Sequence, residues 1–386
     1  MARNPGTPQL LRRLNDRTAL ELLLSEGPLT RAELGERTGL SKVTAGQLLS
    51  RLEDRGLVEV AGQRAGGRGP HAALYGVVPS SAYVAGLEVL PESITVGVAD
   101  ITGRIVVEVT VDPSDGRDPV RTVRNAVQRA CDTAHIGMSQ LRAFVIGTRG
   151  VVDPRTGDVR FSYDLPSWHV GVLASLRERL GASVTIENDV NLVALAEYRH
   201  GAAVGHDDFA VVWAGVGQGL GVMLGGRLHR GITGGAGEIG WLPVPGEPLP
   251  VDVSHPQSGS FQRLVGQEAL AGLADLYGVA GATAADQVRT ATATGNDAYL
   301  KEVAGRLAVG VAAIAVVLDP GLIVLSGDLG RAGGPALAER VEQAVAKVCP
   351  SQPRVAATAV AGNPVLRGAL VAALEQAREQ VFSDTV

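Results

Sequence analysis

The sequence contains few cysteines and lacks any long hydrophobic run. Its two cysteines, Cys131 and Cys349, provide neither a disulfide framework nor the spacing of a metal site. The longest apolar run, Leu307 to Leu318, is too short to cross a bilayer. No N-terminal segment resembles a signal peptide. These absences predict a soluble protein of the reducing cytoplasm that holds no metal and contacts no membrane.

Length and charge divide the chain. With 386 residues, 45% of them hydrophobic and 19% charged, it is long enough for two or three domains with sizeable cores. Residues 1–80 carry 11 Lys and Arg against 8 Asp and Glu, whereas residues 81–386 carry 24 against 32. The basic excess is therefore local to the N-terminus. This distribution suits a DNA-binding domain attached to a body that repels phosphate.

A helix-turn-helix pattern lies within residues 30–54. Thr30 is placed to cap a helix, and Glu33, three residues on, completes a capping box. Gly39 stands where a helix ends in a left-handed turn, and Ser41 starts a second helix. Its predicted apolar face consists of Leu48, Leu49 and Leu52.

The opposite face of this second helix carries polar side chains that reach base edges and phosphates. We predict contacts to base edges by Lys42, Thr44 and Gln47, and to DNA more generally by Ser41. Arg51 is predicted to contact phosphate or the minor groove. A structural alternative is a small helical bundle that only caps a larger protein.

Flanking segments complete a winged helix. Asn15 to Ser25 is predicted as a third helix, and Gly56 to Val60 and Ala73 to Val78 as a hairpin. The glycine-rich loop between those strands carries Arg64 and Arg68, which we predict to contact the DNA backbone or minor groove.

The body repeats one pattern of strands and helices. Tyr83 to Val98 is predicted as one strand, paired across a turn with Ile105 to Val111. Strand and helix segments then alternate, and a second hairpin opens at Phe209. We therefore predict an α/β body of two lobes. The expected domains are residues 1–80, residues 81–200 completed by the C-terminal helix 365–386, and residues 201–364 for effector binding and dimerisation.

Four segments of the body resemble the ROK family, which contains transcriptional repressors and sugar kinases. The segments are GTRGVVDPRTGDV from Gly147, IENDVNLVALAEYRHG from Ile186, GGRLHRGITGGAGEIGWLPV from Gly225 and LDPGLIVLSGDLG from Leu318. The resemblance implies an actin-like ATPase fold of the ribonuclease H-like type. A winged helix before such a body is the arrangement of the repressor branch.

The resemblance also implies a sugar site. Asp189 matches the base that deprotonates a sugar hydroxyl in the family's kinases, and Asn188 and Glu238 match residues that bind sugar hydroxyls. We therefore expect Asn188, Asp189 and Glu238 to contact an effector. A structural alternative makes Asp189 a helix cap and Glu238 a surface loop residue.

Three positions depart from the family pattern. Trp241 replaces a histidine that touches sugar and ligates zinc, Ser260 replaces a zinc cysteine, and Gln262 replaces a sugar-binding carboxylate. His229 and His255 lie nearby in sequence, but two histidines without a thiolate do not predict a zinc site. We predict that Trp241 stacks on the effector or fills the volume of the absent metal.

The segments that would hold nucleotide phosphates are incomplete. Leu90, Pro91 and Glu92 stand where the family's kinases have a glycine-rich turn. The second lobe keeps Gly215 and Gly217, but the segment Ser326-Gly327-Asp328 retains only one of two usual glycines. We therefore predict no ATP cofactor and no kinase activity.

These observations together predict a cytoplasmic transcriptional regulator, a repressor that binds a palindromic operator as a homodimer or dimer of dimers. A small effector, a sugar or sugar derivative, would bind between the lobes and shift DNA affinity. One alternative is an ATP-dependent sugar kinase with an extra DNA-binding domain. Another is a ligand-free regulator whose body is a dimerisation scaffold.

Overall fold

The computed structural model describes residues 8–64, 71–113, 118–162, 171–181, 183–249 and 259–383. Within these residues, no helix is both long enough and apolar enough to cross a membrane.

The N-terminal residues form a winged helix. Its elements are α1 (Pro8–Glu26), β1 (Leu29–Thr30), α2 (Arg31–Thr38), α3 (Lys42–Asp54), β2 (Val58–Arg64) and β3 (Ala72–Val77). The strands pair in the order β1-β3-β2. The predicted capping box is confirmed: the Glu33 backbone N–H donates to the Thr30 hydroxyl and the Thr30 N–H donates to the Glu33 carboxylate. Gly39 ends α2 at a φ of 69°.

The body consists of two lobes built on sheets with the same strand order. The first lobe contains β4 (Tyr83–Val89), β5 (Ile94–Asp100), β6 (Ile105–Val111), α4 (Pro119–Ala134), β7 (Leu141–Thr148), β8 (Val151–Val152), β9 (Val159–Phe161), α5 (Val172–Leu180), β10 (Ser183–Asn188) and α6 (Asp189–His200). Its main sheet has the order β6-β5-β4-β7-β10, with the first three strands antiparallel and the last three parallel.

The second lobe repeats this arrangement. It contains β11 (Phe209–Ala214), β12 (Gln218–Leu224), β13 (Arg227–Leu228), α7 (Phe261–Val265), α8 (Gln267–Leu276), α9 (Ala284–Thr294), α10 (Asp297–Leu318), β14 (Leu322–Ser326), α11 (Gly327–Val345) and β15 (Arg354–Ala357). The sheet order is β13-β12-β11-β14-β15. The predicted duplication is thus confirmed.

Two helices cross between the lobes. α6 follows the first sheet in sequence and packs against β12 of the second lobe. The last helix, α12 (Pro364–Ser383), follows the second sheet and packs against α6 and against β4 and β7 of the first lobe. Their contact is close, because a Cβ built on Gly368 of α12 would lie 1.8 Å from the Leu192 carbonyl oxygen of α6. The lobes therefore share a core around these two helices.

The structure corrects one predicted strand. Residues 83–98 form β4 and β5 rather than one strand, because the chain reverses at Leu90, whose N–H donates to the Ser93 carbonyl. Both strands are buried on both faces, so their apolar pattern runs on without a polar break. Helix α11 was also not predicted, and it bends at Gly334 ahead of Pro335.

Candidate functional site

The exposed face of α3 brings together four of the predicted DNA contacts. Ser41, Lys42, Thr44 and Gln47 are all exposed, and Ser41 also caps the helix by accepting from the Thr44 N–H. The opposite face anchors α3 in the domain core through Ala45, Leu48, Leu49 and Leu52, each at most 2% exposed. The arrangement leaves a polar helix surface free to enter a groove.

Gly46 lies within α3 without interrupting it. The helix is continuous from Lys42 to Asp54. A Cβ built on Gly46 would lie 3.5 Å from the Arg31 side chain, which extends from the first turn of α2. A side chain at this position would therefore only touch Arg31, an exposed cation beside α3 that the sequence pattern did not single out.

The three predicted phosphate contacts have different surroundings. Arg51 is half-exposed and donates to Asp16 at 2.6 Å, and Asp16 is fully buried in α1. Arg64 pairs with Glu33 of α2. Arg68 lies outside the described residues. Arg51 and Arg64 thus have carboxylate partners within the domain, which the sequence prediction did not anticipate, and their contact with DNA stays a prediction.

The last helix joins the winged helix to the body. Phe382 of α12 is 2% exposed and lies in the hydrophobic core formed by α1, α2 and α3. Arg55, which follows α3, donates to the Val381 carbonyl oxygen at 2.8 Å. At its other end α12 begins after Asn363, whose side-chain amide donates to Glu88 of β4.

The second candidate site lies between the lobes, at the N-terminus of α6. Asn188 is the N-cap: its side-chain oxygen accepts from the N–H groups of Val190 and Asn191, and its amide donates to the Gly150 carbonyl. The cap is therefore Asn188 and not Asp189 as the structural alternative supposed. Asp189 accepts from the Val190 N–H and begins the helix.

An ion pair beside this turn links two segments of the body. Glu187 is 7% exposed and accepts from the Asn188 N–H and the Asn191 amide, both at 2.9 Å. Its second oxygen accepts from Arg230, which follows β13 of the second lobe, at 2.7 Å. Glu187 thus holds the turn that presents Asp189 and ties it to the second lobe.

Three carboxylates gather around the cleft. Burial raises the pKa of Asp189 to about 7, while the Val190 N–H and Arg149 oppose the shift and nearby Glu88 and Glu238 add to it. Burial likewise raises the pKa of Glu88, against its hydrogen bond from Asn363. Burial raises the pKa of Glu238 as well. Close carboxylates in a desolvated cleft suit hydrogen bonding to hydroxyl groups.

The residues that replace the family's zinc ligands, Trp241 and Ser260, are not suited to bind zinc. Trp241 lies half-buried in a 3-10 helix (Ile239–Trp241), and the buried residue before Phe261 is Ser260. Within the described residues, no three His, Cys, Asp or Glu side chains are arranged to hold a metal; His255 falls outside them. Gln262 accepts from the Gln218 N–H and donates to the Val216 carbonyl, bracing the turn between β11 and β12.

The side of the cleft where phosphates would lie carries negative charge. Glu92 and Asp328 are exposed, and both raise the pKa of Glu88. Asp328 also lies beside the second-lobe turn, since a Cβ built on Gly215 would be 3.8 Å from its carboxylate. An anion placed here meets carboxylates from both lobes as well as the cation of Arg149, which lowers the pKa of Glu88.

Sequence reasoning missed several residues of these sites. Glu187, Arg230 and Asn363 position the cleft, and Arg31 and Arg55 lie at the winged helix. Each of these residues contacts a partner that is distant in sequence or lies on another element, so no local sequence pattern predicts its role. Glu88 was not predicted as a site residue, although the end of a strand that pairs in parallel with its neighbour, as β4 does with β7, is a typical position for a cleft residue.

Comparisons with known families agree with both parts of the chain. The sequence model of the ROK family matches residues 84–375. A MarR family model matches residues 14–69, which include α2 and α3.

Named relatives include repressors. The chain is 24% identical over 246 residues to the DNA-binding transcriptional dual regulator NagC of Escherichia coli, covering 63% of this chain and 60% of NagC. It is 26% identical over 242 residues to the xylose repressor of Bacillus subtilis, covering 61% of each chain. The matched segments thus span about 60% of the length of these relatives.

Solved structures show the same fold. A ROK family transcriptional regulator, a homolog of the E. coli MLC protein, superposes with a TM-score of 0.75 at 16% identity, covering 97% of this chain and all of that chain. A ROK hexokinase from Thermus thermophilus superposes with a TM-score of 0.61 at 26% identity, covering 76% of this chain and 98% of the hexokinase. Regulators and kinases therefore share this architecture.

Proposed function

The chain belongs to the ROK family, and from that premise we propose that it is a DNA-binding transcriptional repressor controlled by a small effector. The winged helix, residues 1–80, would read an operator. The cleft between residues 81–200, completed by α12, and residues 201–364 would bind the effector. As a transcriptional repressor it would act in the cytoplasm.

The observation that carries this proposal is the position of α12. At its N-terminal end, α12 follows Asn363, whose side-chain amide donates a hydrogen bond to Glu88 in the cleft. Near its C-terminal end, Phe382 is buried in the core of the winged helix. Its 20 residues span about 30 Å. A packed helix with one end at each site is an element through which binding at one site can bias the other.

The coupling would operate by population shift. A ligand that hydrogen-bonds Glu88 competes with Asn363, which caps the first turn of α12 by accepting from the Leu366 N–H. Movement of α12 would change the placement of the winged helix through Arg55 and Phe382. The effector then shifts DNA affinity only by its differential binding to the two placements.

A sugar is the effector class that the cleft and the relatives support best. Asp189 and Glu238 offer carboxylate oxygens to hydroxyl groups, and Trp241 lies three residues after Glu238. The xylose repressor of B. subtilis is named for a sugar. Asn188 would act by holding the turn, because its amide and oxygen already have backbone partners.

The kinase alternative draws on the hexokinase fold and on Asp189, which sits where a catalytic base would. Against it stand Glu88, Glu92 and Asp328, which place negative charge where phosphoryl transfer requires charge neutralisation. We therefore propose a regulator that is not an enzyme and uses no cofactor.

The operator would be a palindrome read by a homodimer or dimer of dimers, because two recognition helices one DNA turn apart read two half-sites. The predicted contacts are Ser41, Lys42, Thr44 and Gln47, with Arg64 and Arg68 toward the backbone. Arg51 would join them only by exchanging its partner Asp16.

Selection of genomic fragments by the purified protein at physiological salt tests the proposal. The wild type is expected to enrich a palindromic motif, and the Lys42→Ala, Gln47→Ala double variant to lose it. The matched control removes an exposed lysine and glutamine from the body, Lys301→Ala with Gln343→Ala, and should enrich the wild-type motif. Enrichment of no motif by the wild type would refute DNA reading. If a panel of sugars leaves the melting temperature of the protein unchanged, the result would favour a ligand-free regulator whose body is a dimerisation scaffold.

A further inference from the structure

Helix α3 exposes one apolar side chain on its otherwise polar outer face. Val43 is 71% exposed, whereas the other apolar residues of α3 are Ala45, Leu48, Leu49 and Leu52, each at most 2% exposed. Of the hydrophobic clusters among the described residues, none contains Val43. Its isopropyl group therefore contributes nothing to the core of the winged helix.

The helix gains nothing from valine at this position. A β-branched residue loses rotamer freedom in a helix, so Ala, Lys or Gln would favour α3 more. Val43 also lies between Lys42 and Thr44 in the first turn and one turn before Gln47, all exposed. The N-terminal residues of a recognition helix are the ones that approach base edges.

The major groove offers an apolar partner of its own. Of the four bases, only thymine presents a methyl group in the major groove, next to the hydrogen-bond donors and acceptors that polar side chains contact. We infer that Val43 is a specificity-determining residue that packs on the C5-methyl group of one thymine in each half-site of the operator. This inference rests on the proposed DNA binding.

The geometry relates this thymine to the neighbouring contacts. Val43 and Gln47 are four residues apart, so their side chains lie on one ridge of α3, about 6 Å apart. Successive bases of one strand are about 3.4 Å apart along the DNA axis. The thymine read by Val43 should therefore lie within about two base steps of the base read by Gln47.

Deoxyuridine provides a test, because it differs from thymidine only by that methyl group. After the motif is selected, each thymine of a half-site is replaced in turn by deoxyuridine and the dissociation constant is measured. The wild type should lose about fourfold in affinity at one position, the factor that corresponds to one buried methyl-sized group. Val43→Ala should bind the unmodified operator more weakly and show no loss at that position.

Two controls separate the methyl contact from other effects. Val43→Thr keeps a methyl group and should retain the deoxyuridine penalty. Ser50→Ala, exposed on a later turn of α3, should retain it too. The melting temperature of Val43→Ala should be no lower than that of the wild type, since the side chain is outside the core and alanine favours the helix.

Two results would overturn the inference while leaving DNA binding intact. One is a wild type that binds its motif but tolerates deoxyuridine at every position. The other is a Val43→Ala variant with an undiminished penalty, or with a changed oligomeric state that assigns Val43 to a protein contact. A wild type that enriches no motif instead refutes the proposed function, and this inference with it.

Discussion

The two lobes share a strand order but differ at the turn that each presents to the cleft. In the first lobe, the turn between β4 and β5 contains Pro91 and Glu92 and follows Glu88. In the second lobe, the turn between β11 and β12 is built on Gly215 and Gly217, with the Gly215 N–H donating to the Gly217 carbonyl. The first turn carries a proline and a carboxylate, and the second carries two glycines on either side of the exposed Val216.

This difference shows which constraints the body keeps. Sheet order and the crossing of α6 and α12 depend on buried contacts, and both lobes retain them. A phosphate cradle depends on a few exposed backbone groups, which one lobe presents and the other does not. A body can therefore keep the architecture shared with kinases while its cleft serves another ligand.

Disrupting the helix crossing should have the largest effect. Gly368→Ala places a Cβ against the Leu192 carbonyl of α6, which the backbone cannot avoid without separating the helices. We expect a loss of about 3 kcal/mol or more in the free energy of unfolding, above the usual cost of overpacking. Urea titration measures it. Gly305→Ala in α10, where a Cβ meets nothing within 4 Å, is the control and should stabilise slightly. Equal effects of the two variants would contradict the close crossing.

Breaking the ion pair between the lobes should have the next largest effect. Arg230→Gln leaves Glu187 buried with less compensation, so we expect a loss of about 2 to 3 kcal/mol in the free energy of unfolding. Arg199→Gln provides the comparison, because Arg199 pairs with Glu375 on the surface of α6 and α12 and should cost less than about 1 kcal/mol. A small loss for Arg230→Gln would mean that the pair does not hold the lobes.

The half-buried carboxylate of Asp189 predicts a pH dependence of stability. Its pKa is about 7 in the fold and about 3.9 in an unfolded chain. Between these values the folded state retains a proton that the unfolded state releases, so the stability contribution falls as pH rises from about 4 to 7. The full shift corresponds to about 4 kcal/mol, and the partial exposure of Asp189 reduces it. Asp189→Asn should therefore raise the free energy of unfolding at pH 8 by about 2 kcal/mol and leave it nearly unchanged at pH 4.

Asp153 in the same lobe provides the opposite case. Hydrogen bonds from Arg155 lower the pKa of Asp153 to about 2, so its contribution is present above pH 4 and is lost as pH falls toward 2. Asp153→Asn should destabilise the protein at pH 8. Thermal melts at pH 4 and pH 8 compare the two variants, and a change of the same sign in both at pH 8 would contradict the pKa assignment of Asp189.

Local patterns predicted the fold well where a short segment decides the structure. The capping box of Thr30 and Glu33 and the start of α3 at Ser41 were predicted with their observed residues. The break between β4 and β5 was missed, because both strands are buried and their apolar residues run on without a boundary. Amphipathic and capping signals are local, whereas a turn within a buried run is not.

The sites were harder to predict than the elements. The turn that presents Asp189 follows from a strand ending where a helix begins. The pairing of Arg51 with Asp16, 35 residues apart, and the approach of Glu88 to Asp189 depend on the packing of separate elements. Residue type suggested that Arg51 binds phosphate, but only the fold shows which carboxylate lies beside it.

The smallest expected effect concerns nucleotide binding. ATP with magnesium at millimolar concentration should change the melting temperature by less than about 1 °C. A ligand that binds the folded state must stabilise it, and this cleft offers phosphate only part of a cradle. Glu88, Glu92 and Asp328 repel phosphates that approach the turn at Gly215 and Gly217, where the Gly215 N–H already donates to the Gly217 carbonyl. A ROK kinase measured in parallel provides the positive control. A rise of several degrees that grows with ATP concentration would show that the second-lobe turn suffices, and would return the kinase alternative to consideration.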